Sequence, residues 1–329
     1  MKRSGPRVIV TALVTASVVA LAACGPTSGD LGTLPPATAG SSIDTGPDLT
    51  PGPTAPGSSP GIEPSAGAGS SPTAGASPSS TPEETMLVRA YFALGGPPGT
   101  AGLVAVLRAM PKSSAVATAA MKALLAGPAS NESDERGLTS AVPEGSRLLG
   151  LTIKDGIATI DLSGEYESGG GSASTFYRLG QVVYTLTQFS TVQSVVFQVE
   201  GRTVNVFGSE GVVLDGPVGR VEYGDLLPSI FVDRPAYGAA IGNPARVAGS
   251  ANVFEAAFRV TILDGAGRTI ADQQAMATCG SGCRGTFDLT VGYDVPNAQW
   301  GTLRVWDGSP RDGSPENVRE YPVWLTPAG

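Results

Sequence analysis

No aromatic residue precedes Tyr91, and no basic residue lies between Arg7 and Arg89. From Gly25 to about Glu84 the chain is Pro, Gly, Ser, Thr and Ala with a few acids. Such a segment cannot bury enough apolar surface to offset the entropy of ordering it, so residues 24–84 are expected to be a disordered tether. Random-coil scaling gives it a reach of roughly 40–50 Å for about 60 residues. Whatever core this chain builds must therefore come from residues beyond about 85.

The first residues address a compartment. Lys2, Arg3 and Arg7 form a basic start, and Val8 to Ala20 is an uncharged run rich in Val and Ala. That run is shorter than the ~20 apolar residues a bilayer span needs, so residues 1–23 have the form of a secretory signal peptide. Leu21-Ala22-Ala23-Cys24 resembles the lipobox of bacterial lipoproteins. The resemblance implies that a diacylglycerol joins the Cys24 sulfur, that the chain is cut before Cys24, and that this residue is the acylated (palmitate-type) N-terminus. Each buried methylene contributes about 0.8 kcal/mol, so two or more acyl chains hold where one would not. The expected location is extracytoplasmic, with Cys24 anchored in the cell membrane. The alternative is an ordinary signal peptide in which Cys24 is incidental.

Two folded regions follow. In residues 85–227, Met86–Leu94 and Leu103–Ala109 have strand composition, separated by a Gly95-Gly96-Pro97-Pro98-Gly99 loop. Ser114–Ala126 has helical spacing, with Ser113 or Ser114 as cap and Gly127-Pro128 as stop. Leu149, Leu151 and Ile153 alternate as on a half-buried strand, and Lys154-Asp155-Gly156 turns into Ile157–Leu162. Phe176, Leu179, Val183, Leu186 and Phe189 mark a longer helix capped by Ser172 or Ser174. Ser194–Val199 and Arg202–Phe207 predict a hairpin across Glu200-Gly201. Alternating strands and helices point to an α/β sandwich. Residues 228–326 show no helix; short strands separated by turns such as Asp264-Gly265 and Asp307-Gly308 predict a β-sandwich. The overall class is α+β.

Both regions carry recognisable patterns. In the first, Ala123-Leu124-Leu125-Ala126-Gly127-Pro128 is followed by Gly137-Leu138-Thr139-Ser140 with Val142-Pro143, then by the hairpin Lys154 to Ser163, and then by Gln181 to Phe189 leading into Val195-Val196-Phe197. In this order, residues 86 to about 225 resemble the GerMN domain of sporulation and germination proteins. In the second, Asn243-Pro244, Val247 to Ala251, Val253 to Ala256 and Asp264 to Gly267 resemble the immunoglobulin-like domain of bacterial spore germination proteins. These resemblances imply an envelope-associated binding or assembly protein, because GerMN domains look like ring-building modules of secretion systems. They do not imply catalysis.

Composition narrows the chemistry. A net charge of −8 leaves no broad basic surface for nucleic acid. The chain has no histidine, so a serine or cysteine nucleophile lacks its usual base. Lys112, Lys122 and Lys154 are the lysines left after cleavage, and none sits in a Ser-x-x-Lys motif. The expectation is a protein that is not an enzyme, without cofactor or metal site. Cys279 and Cys283, across Gly280-Ser281-Gly282, should pair as a disulfide in an oxidising compartment. A redox pair or a metal site are the alternatives, though two thiolates without histidine make a poor zinc site.

Four further features each have a bland and a sharp interpretation. The loop Ser163 to Gly171 gathers Glu165 and Glu167 near Asp161. A glycosidase-type carboxylate pair needs rigid spacing, whereas the glycines point to a mobile, solvated acidic loop. The same glycines, before Ser172, would let an anion approach a helix end, but the two glutamates would repel it. Glu255 is expected in a strand, its carboxylate satisfied by backbone donors, with a place on a binding face as the alternative. Trp300, Trp306, Trp324 and Tyr321 are expected in the sandwich core, an exposed strip instead signalling glycan or protein contact. Three functions compete: binding of an envelope protein or cell-wall polymer, self-assembly through the GerMN-like region, and a carboxylate-based envelope hydrolase.

Overall fold

The structure is a computed structural model that describes residues 84–208 and 211–328. The signal peptide, Cys24 and the tether up to residue 83 lie outside the described residues. No described helix is long and apolar enough to cross a membrane.

The first part opens with a hairpin. Strand β1 (Thr85–Leu94) pairs antiparallel with β2 (Gly102–Pro111), in register from Thr85 opposite Pro111 to Leu94 opposite Gly102. Helix α1 (Val116–Leu125) and the short α2 (Ser130–Asp134) lead to β3 (Leu138–Thr139), which pairs with Ala93 and Leu94 on the other side of β1. β4 (Leu148–Lys154) and β5 (Ile157–Leu162) make a second hairpin, turned by Asp155 and Gly156 in left-handed backbone. Helix α3 (Ser172–Leu186) crosses over so that β6 (Ser194–Val199) lies parallel to β5, with β7 (Arg202–Thr203) on its far edge. Alternation places Ala158, Ile160 and Leu162 inward beside Val195, Phe197 and Val199. Both α1 and α3 pack on β1 and on one another. Gly180 of α3 sits where a Cβ would collide with Leu226, so the chain at 223–226 presses directly onto the helix.

Three local expectations are corrected. Neither helix is capped by a serine side chain: α1 starts after Ala115, and the extended Gly171 leads straight into α3. Arg202–Phe207 does not stay one strand. The Leu214 N–H takes the Asn205 carbonyl at 2.7 Å and draws the chain into a separate ribbon, β8 (Val206–Phe207) with β9 (Val212–Val213). On β4, Leu149 is 48% and Ile153 41% exposed, because β4 is the edge of its sheet and the register shifts between Leu148 and Gly150.

The second part is two facing sheets. β10 (Ile230–Arg234), β12 (Ala245–Ala251) and β15 (Gly285–Val291) form one, in that order. The other runs β11 (Ala240–Ile241), β17 (Pro315–Leu325), β16 (Gln299–Gly308), β13 (Ala257–Leu263), β14 (Thr269–Met276). Phe258 and Phe287 meet between the sheets with ring centres 4.7 Å apart. Gly249 lets β12 lie close to Phe231 and Phe287; a side chain there would collide with the Phe231 carbonyl. The fold is mixed α+β, as the alternation of patterns predicts, and the buried apolar residues of both parts form one continuous cluster.

Candidate functional site

A deeply buried charge lies where the two parts meet. Arg89 and Tyr91 are on β1, whose central residues are buried on both faces. The pleat turns the backbone groups of residues 89 and 91 away from β2, and β3 is too short to reach them. Side chains of α3 and of the turn that ends it take the place of a strand. Gln188 Nε2 donates to the Arg89 carbonyl at 2.7 Å and its Oε1 accepts from Arg89 N at 3.0 Å. Thr185 Oγ1 accepts from Tyr91 N, and Gln181 Nε2 donates to the Tyr91 carbonyl at 2.9 Å. Gln181, Thr185 and Gln188 fall on one helical face by their four- and three-residue spacing. A polar stripe along a core helix and its terminal turn thus satisfies a strand edge that would otherwise be buried without partners.

The side chains of the same two strand residues reach into the second part. Arg89 Nη1 donates to Asp233 Oδ2 of β10 at 2.7 Å, and the Tyr91 hydroxyl donates to Asp233 Oδ1 at 2.5 Å. Arg89 is 2% exposed and Asp233 21%. Arg220 stacks over Tyr184 and Tyr91, its guanidinium 4.7 and 5.7 Å from the ring centres, and its Nε donates to Thr187 Oγ1 at 2.8 Å. Burial alone would raise the Asp233 carboxyl, but Arg89, Arg220 and the hydrogen bonds from Tyr91 and Arg89 outweigh it and hold the carboxyl below its ordinary value. Burial raises the phenol of Tyr91, and that of Tyr184 to about 12. All three tyrosine and carboxylate partners are therefore held in one protonation state around neutral pH.

Backbone contacts extend this seam. Tyr237 N donates to the Ala105 carbonyl and Ser229 N to the Gly99 carbonyl, both at 2.7 Å. Arg319 donates to the carbonyls of Thr100 and Gly102. Arg284 Nη2 donates to the Leu227 carbonyl at 3.4 Å. Arg136 of the first part lies over Tyr237 and Trp300 of the second. The arrangement joins surfaces; its carboxylate and phenol are already engaged with one another.

The residues singled out from sequence lie elsewhere. Cys24 is outside the described residues. Cys279 and Cys283 are bonded, Cα atoms 5.8 Å apart, in the β14–β15 connection. Asp161 Oδ1 accepts from Gly201 N, while Glu165 pairs with Arg147, so the two acids have separate partners. The acidic loop is pinned instead of mobile. Arg178, 2% exposed, donates to the carbonyls of Ala141, Tyr166, Ser168 and Gly169 and so holds the loop's backbone from inside. Glu255 is exposed and lies in a single helical turn with left-handed backbone, not in a strand. Tyr321 is in the core, with its hydroxyl accepting from Val232 N, but Trp300, Trp306 and Trp324 are on the outer face of the five-stranded sheet. Among the described residues no three His, Cys, Asp or Glu side chains cluster as metal ligands would.

Two family models match. Residues 89–205 match the family described as sporulation and spore germination, and residues 229–314 the immunoglobulin-like domain of bacterial spore germination. Among solved structures, the tandem GerMN domains of the sporulation protein GerM from Bacillus subtilis share 16% identity, over 75% of this chain and 62% of that one, with a TM-score of 0.36. The chain thus spans less than two thirds of that structure. The first GerMN domain of the same protein shares 25% identity over 42% of this chain and 99% of that one, with a TM-score of 0.35. A Clostridium perfringens protein provisionally described as a lipoprotein shares 21% identity over 43% of this chain and 92% of that one, with a TM-score of 0.31. A search of curated proteins gave no match.

Proposed function

We infer that this chain, which carries a sporulation and spore germination domain followed by an immunoglobulin-like domain of bacterial spore germination, acts as a non-enzymatic lipoprotein of the cell envelope. It binds or assembles with an extracytoplasmic partner, protein or cell-wall polymer, in sporulation, germination or upkeep of the envelope. In this reading Cys24 carries the acyl chains, residues 24–84 are the tether, and the two domains divide near residues 227 and 228. The observation that carries it is the seam. Both oxygens of the Asp233 carboxylate are taken up by Arg89 and Tyr91 across the junction, which favours a device for presenting a joint surface over one for moving protons. The lipobox-like run before Cys24 supports the location. The test is mass spectrometry of the chain purified from its own membranes, with crosslinked capture of its partners. An acylated N-terminal Cys24 and a reproducible envelope partner are expected; an unlipidated chain that captures nothing from intact cells would overturn the reading.

A second reading, self-association, is favoured by β4. This edge strand exposes Leu149 and Ile153, and among the described residues only β5 pairs with it. Exposed apolar edge strands are templates for pairing with another chain. Light scattering on the folded chain separates the readings, since a strict monomer at high concentration removes self-assembly. The hydrolase reading has no such support, because Asp161 and Glu165 are engaged by different groups.

A further inference from the structure

Beside the seam, on the outer face of the five-stranded sheet, Trp300 of β16 stands directly opposite Trp324 of β17. Their ring centres are 5.4 Å apart and the planes inclined at 80°, an edge-to-face pair in contact on the surface of the sheet. Trp300 is 37% exposed and Trp324 half-buried. The first part supplies a cation: the Arg136 guanidinium lies 5.7 Å from the Trp300 ring centre and 5.9 Å from that of Tyr237. The turn at Gly238 leaves Arg136 its place, since a Cβ there would come within 3.2 Å of Nη1.

Charge distinguishes this corner from the rest of the face. Arg259 is paired with Asp272 and Arg304 with Glu320. Arg136 has no ion-pair partner among the described residues, and the nearby Glu132 is engaged by both Nη atoms of Arg108. An unpaired guanidinium fixed against aromatic rings, in a chain of net charge −8, is a local positive point with its donor fork free. The corner is also small. Val318, another exposed apolar residue of β17, is six residues along the strand from Trp324, roughly 20 Å away. A protein interface wants a contiguous apolar patch of hundreds of Å². The exposed surface of Trp300, buttressed by Trp324, suits something the size of a sugar ring.

We propose that Trp300, Trp324, Tyr237 and Arg136 form a binding site for an acidic polysaccharide. The aromatic faces receive the C–H faces of a pyranose, and Arg136 holds the ring's carboxylate in a two-point, charge-assisted contact. The site is composite, since Arg136 lies in one family-matched segment and Tyr237 and Trp300 in the other, with Trp324 beyond its end. It rests on the envelope-binding reading and names the polymer class that reading leaves open.

The test titrates the full-length chain in detergent with polygalacturonate fragments and follows tryptophan fluorescence. Neutral dextran supplies rings without charge, and polyglutamate supplies carboxylates without rings. Saturable binding to polygalacturonate alone is expected, weakened at least tenfold by Arg136→Gln and by Trp300→Ala, and unchanged by Arg311→Gln on the distant β16–β17 turn. Unfolding midpoints of the variants establish that they fold. Should Trp300→Ala fail to fold, Arg136→Gln alone decides. No saturable binding, equal binding of polyglutamate, or binding that Arg136→Gln leaves intact would overturn the proposal. Crosslinked capture with Arg136→Gln separates the two levels. A partner still captured by a chain without polygalacturonate affinity sinks this site and leaves the envelope-binding reading standing.

Discussion

The Tyr91 hydroxyl donates to Asp233 Oδ1 at 2.5 Å, from the middle of β1 to the end of β10, across the junction of two parts that sequence patterns separate cleanly. Arg89, two residues earlier on the same strand, takes the other carboxylate oxygen. These three side chains tie the two parts together at the centre of a seam that backbone contacts and Arg319 extend.

Removing the carboxylate leaves Arg89 buried without its counter-charge. Asp233→Ala is expected to cost about 3–5 kcal/mol of stability, and Tyr91→Phe, which removes one hydrogen bond to a charged group, about 1.5–3 kcal/mol. Urea unfolding of the variants measures both. If Asp233→Ala unfolds at the native midpoint, the seam contributes nothing.

Acid should act through the same carboxyl. Its folded value lies below its unfolded one, so its contribution is fully present above about pH 3.9, the ordinary aspartate value. That contribution is lost as pH falls through the depressed folded value. Stability should drop below about pH 4, and Asp233→Asn, though less stable at neutral pH, should show a shallower drop. Unfolding midpoints between pH 2 and 7 check this; identical slopes would remove Asp233 from the account.

Arg178 should be as costly to remove as a core residue. Arg178→Met leaves carbonyls of Ala141, Tyr166, Ser168 and Gly169 short of a donor and is expected to cost about 3 kcal/mol or more. Faster amide exchange confined to residues 163–171 would accompany it. Unchanged exchange there would mean the loop holds itself.

The bond between Cys279 and Cys283 closes a short ring, worth about 2 kcal/mol by loop-closure entropy. The ring also supports its neighbour: Ser281 N donates to the Val253 carbonyl, and Ser281 Oγ accepts from Glu255 N, where Glu255 and Ala256 both have left-handed backbone. Cys279→Ser with Cys283→Ser should lower the unfolding free energy by that amount and loosen residues 253–256 first. Thiol titration that finds two free thiols in the native protein would void the prediction.

Gly249→Ala tests the sandwich. A Cβ would collide with the Phe231 carbonyl and press on the Phe287 ring, so a loss of about 1–3 kcal/mol is expected from overpacking. A neutral effect, measured by thermal unfolding, would mean that β10 and β12 can part at no cost.

Much of this molecule was legible before any coordinates. The alternation in Ile157–Leu162 and Ser194–Val199 marked both strands to the residue, and the apolar spacing through Phe176–Leu186 marked α3. The tryptophans misled, because a strand pattern says which residues share a face but not which face is covered. On β17, Tyr321 went inward while Trp324, of opposite parity, went out. The seam was invisible for another reason. Arg89 and Asp233 are 144 residues apart and each passes for an ordinary surface charge, while Gln181, Thr185 and Gln188 pass for the polar side of an amphipathic helix.

Periodicity, turn chemistry and composition act between near neighbours, so the chain alone determined most of its strands and helices and that no histidine chemistry operates here. The pairing of Arg89 and Tyr91 with Asp233, and the meeting of Arg136 with Trp300, were decided only when two separate patterns packed into one buried cluster. Desolvation makes a charge seek whichever partner the tertiary fold brings within reach, and nothing local encodes that distance.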